Sequence, residues 1–301
     1  MTQADPDHRF GSAFLFDSLA MSQHIISCGT HTLTWSPGRP LVMGIVNVTP
    51  DSFSGDGLGL QVDAAFDQAL AMMAAGADLV DVGAESTRPG AESVSAEEEL
   101  NRLLPLLERL VAAGIPVSVD TYKATVMAQA IRLGAGLIND ISALSDPAAV
   151  TALAPHQRVA VCLMHMQGTP QHMQQSPHYD NVCADVQAFL QQAVAKAEAA
   201  GICRSRLILD PGFGFGKTFA HNQQLFQALP QLVALGLPVL VGVSRKTMIG
   251  HITGQPVDQR IAGSVAAALW AAQYGAAIVR VHDVAQTVDA LKVSRALGPQ
   301  Q

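Results

Sequence analysis

The feature that most constrains the fold of this chain is an alternation, repeated eight times, of a short apolar run with a longer stretch of helical periodicity. Uninterrupted apolar runs are typical of parallel strands that are buried on both faces. Eight strand–helix units within 301 residues predict a single (β/α)8 TIM barrel of the α/β class, with a doubly wound open sheet as the alternative. The predicted strands are Val42–Val46, Leu79–Val82, Pro116–Val119, Gly136–Ile138, Val159–Met164, Leu207–Leu209, Val239–Val243 and Ala277–Val281.

Signals for helix ends support this count. Six predicted helices end in a small-residue motif whose central glycine supplies the left-handed conformation that stops a helix. The second helix begins at Ser95, with Glu98 three residues later, which is the pattern of a capping box. The fourth helix, near residues 147–155, lacks such a glycine. The six glycines are Gly76, Gly114, Gly134, Gly201, Gly236 and Gly275.

Composition limits the classes of function. Hydrophobic residues make up 49% of the chain and charged residues 14%, which argues against disorder and for a large buried core. The formal net charge is −7 and the sequence has no basic stripe, so we expect no nucleic-acid partner. Any anion site must therefore be a local cluster of cationic side chains and backbone N–H groups.

The first 25 residues lack the marks of a targeting segment. No basic segment precedes the mildly apolar stretch from Ala13 to Ala20, and Asp17 interrupts it, so we expect no signal peptide and no membrane span. We expect residues 1–25 to form a loosely ordered extension and residues 26–301 to form the barrel. The four cysteines have no C-x-x-C spacing, so reduced thiols in a cytoplasmic protein are the expectation.

Polar residues gather where the predicted strands end, whereas the opposite strand ends are mostly Gly, Pro, Ala and aliphatic residues. In a TIM barrel the active site lies at the carboxyl-terminal ends of the strands. This asymmetry predicts an enzyme. The polar residues are Asn47, Glu85, Ser86, Thr87, Arg88, Asp120, Asn139, Asp140, His165, Asp210, Ser244, Arg245, Lys246, Arg280 and His282.

The segment 211–218 reads P-G-F-G-F-G-K-T and resembles the end of a nucleotide-binding P-loop. Pro211 replaces the first glycine of that motif and has no N–H to offer a phosphate, so a nucleotide site is the weaker interpretation. We expect the glycines instead to place Phe213 and Phe215 on a tight loop near a flat ligand. An ordinary glycine-rich connection is the alternative.

Asp120 and Asp210 each follow a predicted buried strand. Each is expected to point into the barrel mouth, where a carboxylate needs hydrogen-bond donors. The alternative is that each caps the helix that follows. That alternative is more serious for Asp120, which precedes Thr121, than for Asp210, which precedes a Pro-Gly pair.

Two cationic clusters lie on the last two predicted strands. Arg280 and His282 flank Val281, so the two-residue period of a strand places both on one face. Residues 244–247, Ser-Arg-Lys-Thr, end the preceding strand and open a predicted short helix, whose N-terminus adds backbone donors. Phosphate sites are common at this part of a barrel, so the pair of clusters predicts an anion site.

Eight segments in order closely resemble the dihydropteroate synthase family, from about residue 40 to about residue 295. Single motifs of this kind are weak, but eight in the family's order are specific. The segments are residues 47–54 (NVTPDSFS), 83–90 (GAESTRPG), 118–120 (SVD), 138–141 (INDI), 162–168 (CLMHMQG), 210–217 (DPGFGFGK), 242–250 (GVSRKTMIG) and 280–283 (RVHD).

The resemblance implies a homodimeric (β/α)8 transferase of folate synthesis that uses Mg2+. Its substrates would be 6-hydroxymethyl-7,8-dihydropterin pyrophosphate and p-aminobenzoate, and its products 7,8-dihydropteroate and pyrophosphate. The implied catalytic residues are Asp120, Lys246, Arg280 and His282. The implied pterin site is Asp120, Asn139, Met164, Asp210 and Lys246. The implied pyrophosphate site is Asn47, Thr87, Arg88, Arg280 and His282, with Asn47 also on Mg2+. The implied p-aminobenzoate site is Phe53, Pro89, Phe215, Lys246 and Thr247.

These residue types suit an SN1-like reaction. Pyrophosphate departs once cationic groups and Mg2+ neutralise its developing charge. The carbocation left behind is conjugated with the pterin ring, and Asp120 is suited to stabilise it. The arylamine is neutral near pH 7 and can attack without a strong base, so no covalent enzyme intermediate is needed.

Two positions depart from the usual family pattern, and two other functions are open. Residues 54–57 read Ser-Gly-Asp-Gly instead of S-D-G-G, and Thr247 stands where serine is common; both concern the first loop or the arylamine pocket.

A methyltetrahydrofolate-dependent methyltransferase shares the pterin-binding barrel but would not need Arg88, Arg280 and His282. A non-catalytic pterin-binding paralogue is the other alternative, although every motif position is filled.

Overall fold

The protein is a closed eight-stranded parallel barrel, as predicted. The computed structural model describes residues 23–48, 58–86, 90–91 and 93–298. The strands follow one another around the barrel in chain order, and a bridge between Leu209 and Val239 joins β8 to β9 and closes the ring. The barrel strands are β3 (Leu41–Asn47), β4 (Leu79–Gly83), β5 (Val117–Asp120), β6 (Leu137–Asp140), β7 (Ala160–Met164), β8 (Leu207–Asp210), β9 (Leu240–Val241) and β10 (Ile278–Val281).

Helices connect the strands on the outside of this barrel. Their bounds are α1 (Leu58–Ala74), α2 (Ala96–Ala112), α3 (Ala124–Leu133), α4 (Pro147–Leu153), α5 (Val182–Ala199), α6 (Phe219–Gln227), α7 (Leu229–Val233), α8 (Thr247–Thr253), α9 (Ile261–Gln273) and α10 (Val284–Leu297). In this part of the chain, none of the helices is long and apolar enough to cross a membrane.

The predicted helix-ending glycines and the predicted N-cap Ser95 are confirmed, but the full capping box is not, because the Glu98 carboxylate accepts from Arg102 instead of from the Ser95 N–H. All six helix-ending glycines have positive φ, from 72° at Gly114 to 115° at Gly134. Ser95 caps α2, and its hydroxyl accepts a hydrogen bond from the Glu98 backbone N–H at 3.1 Å. Asp146 caps α4, the helix without a glycine signal, by accepting from the Ala148 N–H at 2.9 Å.

Alternation along the strands divides the core in two. One set of strand residues, represented by Val80 and Val82, packs outward against the helices. The other set, represented by Leu79, Leu137 and Ile208, fills the inside of the barrel. Side chains two positions apart on a strand lie on the same face. The residues two positions after this inner set therefore also point inward, at the carboxyl-terminal mouth of the barrel.

A β-hairpin that the sequence interpretation did not predict packs with this inner core. It consists of β1 (His24–Cys28) and β2 (His31–Trp35), paired antiparallel, and its side chains Ile26, Cys28 and Leu33 join the cluster inside the barrel. Arg158, from the connection that precedes β7, ties the hairpin turn to the barrel by donating to the Gly29 carbonyl at 2.8 Å. Of the predicted extension 1–25, residues 1–22 lie outside the described residues and stay a prediction, whereas His24 and Ile25 belong to β1.

Gly136 provides a test of this hairpin contact. A Cβ at Gly136 would lie 2.2 Å from the Cys28 carbonyl carbon, so Gly136→Ala must push the hairpin away from the barrel. We expect it to lower the free energy of unfolding by about 3 kcal/mol, measured by urea denaturation. Gly38→Ala is the control, because nothing lies within 4 Å of its Cβ and only its positive φ adds a cost. Equal losses in the two variants would contradict the packing.

Candidate active site

The predicted site residues that the structure describes meet at the carboxyl-terminal mouth of the barrel. Strand register places Asn47, Gly83, Asp120 and Asn139 at one level, on four neighbouring strands. Met164 pairs with Asp210 in the same way on β7 and β8. Lys246 follows β9 and occupies the N-cap position of α8 without a side-chain cap bond, Arg280 lies within β10, and His282 follows β10. Thr247 is the first residue of α8 and is exposed.

Arg280 organises the floor of this mouth. Its Nε donates to Asp81 at 2.6 Å and its Nη2 donates to Asp120 at 3.0 Å. Asp81 is fully buried and also accepts from the Ser118 hydroxyl and from the Asn139 amide, the latter at 3.1 Å. Four strands are therefore joined through one buried network of charge-assisted hydrogen bonds.

Asp81 is a site residue that sequence reasoning missed. It lies inside the apolar run Leu79–Val82, which was interpreted only as a strand, and only residues at strand ends were considered as candidates. A signal was available, because Asp81 is two residues after the inward-facing Leu79 and a buried carboxylate needs a partner.

The network shifts the acidity of its members. Burial raises the pKa of Asp120 to about 7, the positive charge of Arg280 opposes this rise, and the negative charge of Asp81 adds to it. Burial alone would lower the pKa of Arg280, but Asp81 and Asp120 raise it above its usual value, so this guanidinium stays charged.

Asn139 leaves an acceptor open in the mouth. Its Nδ2 is used by Asp81, whereas its Oδ1 is buried and has no hydrogen-bond partner among the described residues. Arg206 Nη1 is the other such side-chain atom in this part of the chain. An unpaired buried acceptor costs about 1–3 kcal/mol, so a ligand that donates to Asn139 would recover that energy.

Asp210 and Lys246 form the opposite wall. Asp210 accepts from the Gly212 N–H at 2.7 Å, and burial raises its pKa although Lys246 opposes the rise. Burial lowers the pKa of Lys246 to about 8 while Asp210 supports its charged form. The Lys246 ammonium donates to the Phe213 carbonyl at 2.6 Å and lies 4.7 Å from the centre of the Phe215 ring.

The prediction for the glycine-rich loop is wrong for Phe213. This ring is fully buried and packs 5.6 Å from the Phe226 ring on α6, so it is a core residue that touches the mouth only through its carbonyl. Phe215 is half-buried and pairs with Lys246 as described. The two rings diverge because Gly214 between them has a φ of 82°, so the loop does not keep the two-residue period of a strand.

Lys217 explains the P-loop-like ending of the same segment without a phosphate. Its ammonium is buried and donates to the Gly212 carbonyl at 2.8 Å and the Phe215 carbonyl at 3.0 Å, and it contacts His165 Nδ1 at 2.9 Å. Burial lowers the pKa of Lys217 to about 7 and that of His165 to about 3. The lysine holds the loop together, so the nucleotide interpretation is rejected.

The alternative that the two aspartates cap helices is wrong. The helix after Asp120 is capped at Lys123, and the helix after Asp210 is capped at Thr218. Both carboxylates instead point into the mouth, as the strand-end interpretation predicted, with Asp120 on Arg280 and Asp210 facing Lys246.

The two predicted cationic clusters, at the ends of β9 and β10, are adjacent, but not all of their side chains face the mouth. His282 contacts the Ser244 hydroxyl through Nδ1 at 3.1 Å, and the same hydroxyl accepts from the His282 N–H. Arg245 does not join the mouth, because its guanidinium forms an ion pair with Asp283. Predicted residues Phe53, Thr87, Arg88 and Pro89 lie outside the described residues, so their places stay predictions.

The geometry defines what the mouth can bind. Asp120, Asp210 and the Asn139 oxygen can accept hydrogen bonds from a flat, donor-rich ring, and Lys246 can donate to it. Arg280 and His282 lie beside them, where they can meet an anionic group attached to that ring. No group of three His, Cys, Asp or Glu side chains with metal-ligand geometry occurs in residues 23–48, 58–86, 90–91 and 93–298.

Comparison with known proteins gives a consistent result. The model of the pterin binding enzyme family matches residues 43–282. Dihydropteroate synthase of Haemophilus influenzae is 50% identical over 258 residues, which is 85% of this chain and 94% of that protein. The structure of Xanthomonas albilineans dihydropteroate synthase with 4-aminobenzoic acid has a TM-score of 0.86 at 52% identity, covering 93% of this chain and all of that one. The same enzyme in complex with 7,8-dihydropteroate gives 0.82 at 50% identity, with 92% and 100% covered.

Proposed function

The chain belongs to the dihydropteroate synthase family of pterin-binding enzymes, and on this premise we propose a reaction and a role for each residue of the mouth. The reaction joins 6-hydroxymethyl-7,8-dihydropterin pyrophosphate to p-aminobenzoate and yields 7,8-dihydropteroate and pyrophosphate. Two structures of the Xanthomonas albilineans enzyme support this assignment. One contains 4-aminobenzoic acid and the other contains 7,8-dihydropteroate.

The observation that carries the pterin site is the open acceptor on Asn139, buried with Asp120, Asp210 and Lys246 around it. The aminopyrimidinone edge of a pterin carries adjacent N–H donors, which Asp210 can accept in pairs. Asn139 accepts a further N–H, and Lys246 donates to a ring acceptor. Met164, which is buried under the Asp210–Gly212 turn, forms the apolar floor.

The pyrophosphate lies against Arg280 and His282, with Thr87, Arg88 and Asn47 completing its site in this proposal. Arg280 keeps its charge because of Asp81 and Asp120, so it can stabilise the leaving group at every physiological pH. His282, at the end of the same strand, is held by Ser244 from the neighbouring strand end. The Arg280 charge and a hydrogen bond from His282 stabilise the pyrophosphate more as it departs than when it is bound to the ring.

A magnesium ion fits this site through Asn47. Mg2+ takes oxygen ligands and commonly uses few protein groups, because water and substrate phosphates fill the remaining positions. The Asn47 Oδ1 would lie 3.6 Å from a Cβ on Gly83, so the glycine leaves room beside this oxygen at the mouth. When bound, the ion would neutralise charge on the phosphate oxygens.

The chemical step is proposed to be SN1-like. Pyrophosphate leaves first, and the Asp120 carboxylate stabilises the positive charge that spreads from the methylene into the pterin ring. The arylamine nitrogen then attacks, and its proton passes to solvent. Phe215, Lys246 and Thr247 line the p-aminobenzoate side, with Phe53 and Pro89 assigned to the same pocket.

Binding of two ligands tests the pyrophosphate assignment. We expect His282→Ala to weaken binding of the pterin pyrophosphate by about 10-fold or more, which corresponds to a charge-assisted contact of 1.5–3 kcal/mol. Binding of the unphosphorylated pterin should be unchanged. Calorimetry with both ligands measures this difference. His282→Ala is the cleaner variant, because removing Arg280 would leave two buried carboxylates unpaired. Equal losses for the two ligands would refute the assignment.

The same titrations separate the proposed reaction from the methyltransferase alternative. A synthase binds the pterin pyrophosphate more tightly than the unphosphorylated pterin. A methyltransferase would bind methyltetrahydrofolate tightly and gain nothing from the phosphates.

We also propose that the protein is a homodimer through α9 and α10. Ile261, Val265 and Leu269 of α9 line an apolar groove, and the same two helices expose Trp270 (54% exposed) on α9 and Leu297 (82% exposed) on α10. Contiguous apolar surface of this kind marks an interaction site. We expect sedimentation velocity to find a dimer, and Ala266→Arg in that groove to weaken it by about 100-fold, because it buries an unpaired charge. A wild-type monomer at tens of micromolar would refute the dimer.

A cytoplasmic location is part of the same proposal. All four cysteines are free thiols, and Cys203 is exposed. Free exposed thiols persist in a reducing compartment.

A further inference from the structure

Two motif residues, Arg245 and Asp283, are neighbours in sequence of site residues, but their own side chains do not line the mouth. Arg245 precedes Lys246, and Asp283 follows His282. Their side chains form a fork: Arg245 Nε donates to Asp283 Oδ2 at 3.0 Å, and Nη2 donates to Oδ1. A two-bond fork fixes relative orientation as well as distance. The pair therefore connects the ends of β9 and β10 just beside the site.

The backbone of Arg245 is held in an unusual conformation. Its φ is 57°, in the left-handed region that non-glycine residues rarely occupy. Such a conformation persists only where the surroundings impose it. The residue before Lys246 is thus a strained turn rather than a regular end of a strand.

Two residues of the α9 region impose this turn together with Asp283. The Arg245 N–H donates to the Ser264 hydroxyl at 2.9 Å, and the Arg245 carbonyl accepts from Arg260 Nη1 at 3.0 Å. Ser264 in turn donates to the Arg260 carbonyl at 2.7 Å, so the two supports brace each other. Side chain, N–H and carbonyl of Arg245 are all fixed.

The direction of the next side chain depends on this turn. Lys246 leaves the turn with its ammonium on the Phe213 carbonyl at 2.6 Å. A relaxation of Arg245 to negative φ would rotate the following residue and move that ammonium out of hydrogen-bond reach.

We propose that Arg245 and Asp283 form a positioning pair, in which the fork and the strained turn aim Lys246 and fix its spacing from His282. Neither residue is a ligand of substrate. The pair aligns Lys246, on the pterin side of the site, with His282, on the pyrophosphate side. It therefore affects the rate of turnover through the position of Lys246. This role rests on the proposed function of the site, but the geometry it predicts is independent of turnover.

Two substitutions at Arg245 separate positioning from simple stabilisation. Both Arg245→Ala and Arg245→Gly remove the guanidinium, but only glycine adopts a φ of 57° without strain. We expect Arg245→Ala to lower kcat/KM about 100-fold, mainly through kcat, and Arg245→Gly to recover at least fivefold of that loss. Arg109→Ala, which breaks the exposed ion pair with Asp63, is the matched control and should leave kcat/KM unchanged.

Crystal structures of the variants read the positioning directly. In Asp283→Ala we expect Arg245 to leave positive φ and the distance from Lys246 Nζ to the Phe213 carbonyl to rise from 2.6 Å to more than about 3.5 Å, beyond hydrogen-bond reach. If Asp283→Ala keeps both features, the proposal is overturned whether or not the protein is a synthase. If the wild type turns over while Arg245→Ala and Arg245→Gly lose the same activity, the positioning role is also overturned, and the proposed function stands. Thermal unfolding of each variant confirms that it is folded at the assay temperature.

Discussion

Replacing Asp120 with asparagine is expected to lower kcat by about 100- to 1000-fold, while KM for either substrate changes by less than about threefold. Asparagine keeps the shape of the side chain and an oxygen that can accept from Arg280, which lies 3.0 Å away. It removes the negative charge, which matters most when the pterin carries positive charge in the transition state. Steady-state kinetics in both substrates measure the split between kcat and KM.

Asp146→Asn is the matched control for this variant. Asp146 is a true helix cap, and asparagine caps a helix about as well as aspartate, so activity and stability should stay near wild type. Asp120 caps no helix, since α3 is capped at Lys123. If Asp120→Asn also stays near wild type, its charge has no part in the reaction and the SN1-like step must be abandoned.

The pH profile gives the same variant a second readout. The pKa of Asp120 is raised to about 7, so in the free enzyme the carboxyl is neutral below pH 7 and charged above it. The free-enzyme quantity kcat/KM should therefore fall as pH drops below 7 in the wild type. Asp120→Asn cannot ionise at this position and should lack this acidic limb. An unchanged limb in the variant would assign the titration to another group.

Replacing Asp210 with asparagine is expected to lower affinity for the pterin pyrophosphate and for the unphosphorylated pterin alike, by about 100-fold each. The carboxylate can accept two adjacent N–H donors of the pterin, whereas the amide offers one acceptor and places a donor against the other. The amide also removes the charge that faces Lys246. Calorimetry with both ligands measures the two losses.

The contrast with His282→Ala makes this prediction specific. Asp210→Asn should affect both ligands, and His282→Ala should affect only the phosphorylated one. Loss confined to the pyrophosphate ligand in Asp210→Asn would place the pterin elsewhere in the mouth. A variant that binds both ligands as the wild type does would exclude Asp210 from the site.

The sequence predicted those parts of the structure that depend on local pattern. The apolar runs, the capping serine Ser95 and the helix-ending glycines act within a few residues, and all of them fold as expected. The polar strand ends were also predictable, because register carries Asp120 and Asn139 to one level once the strands pair in order.

Parts that depend on distant partners were not predictable from local pattern. Asp81 and Arg280 are 199 positions apart, so nothing near Arg280 in the chain indicates that it is shared between two carboxylates. Lys217 belongs to a segment that resembles a phosphate-binding motif, yet its buried ammonium donates to a carbonyl of its own loop. In each case tertiary burial, rather than propensity, decides the role of the charged group.

The hairpin was missed for a different reason. Residues 26–28 and 32–35 alternate apolar and polar side chains on either side of a Gly-Thr turn, which is a strand signal. The repeat of strand–helix units has no place for it, because Ile26 and Leu33 fill the inside of the barrel rather than add to the ring of strands.

Turnover by the wild-type protein shows whether it joins the pterin to p-aminobenzoate. The purified protein is incubated with 6-hydroxymethyl-7,8-dihydropterin pyrophosphate, p-aminobenzoate and Mg2+, and dihydropteroate is quantified by chromatography and pyrophosphate by a coupled assay. We expect both products to appear at equal rates and Asp210→Asn to suppress both. A wild-type protein that binds the pterin pyrophosphate but forms no dihydropteroate would contradict it.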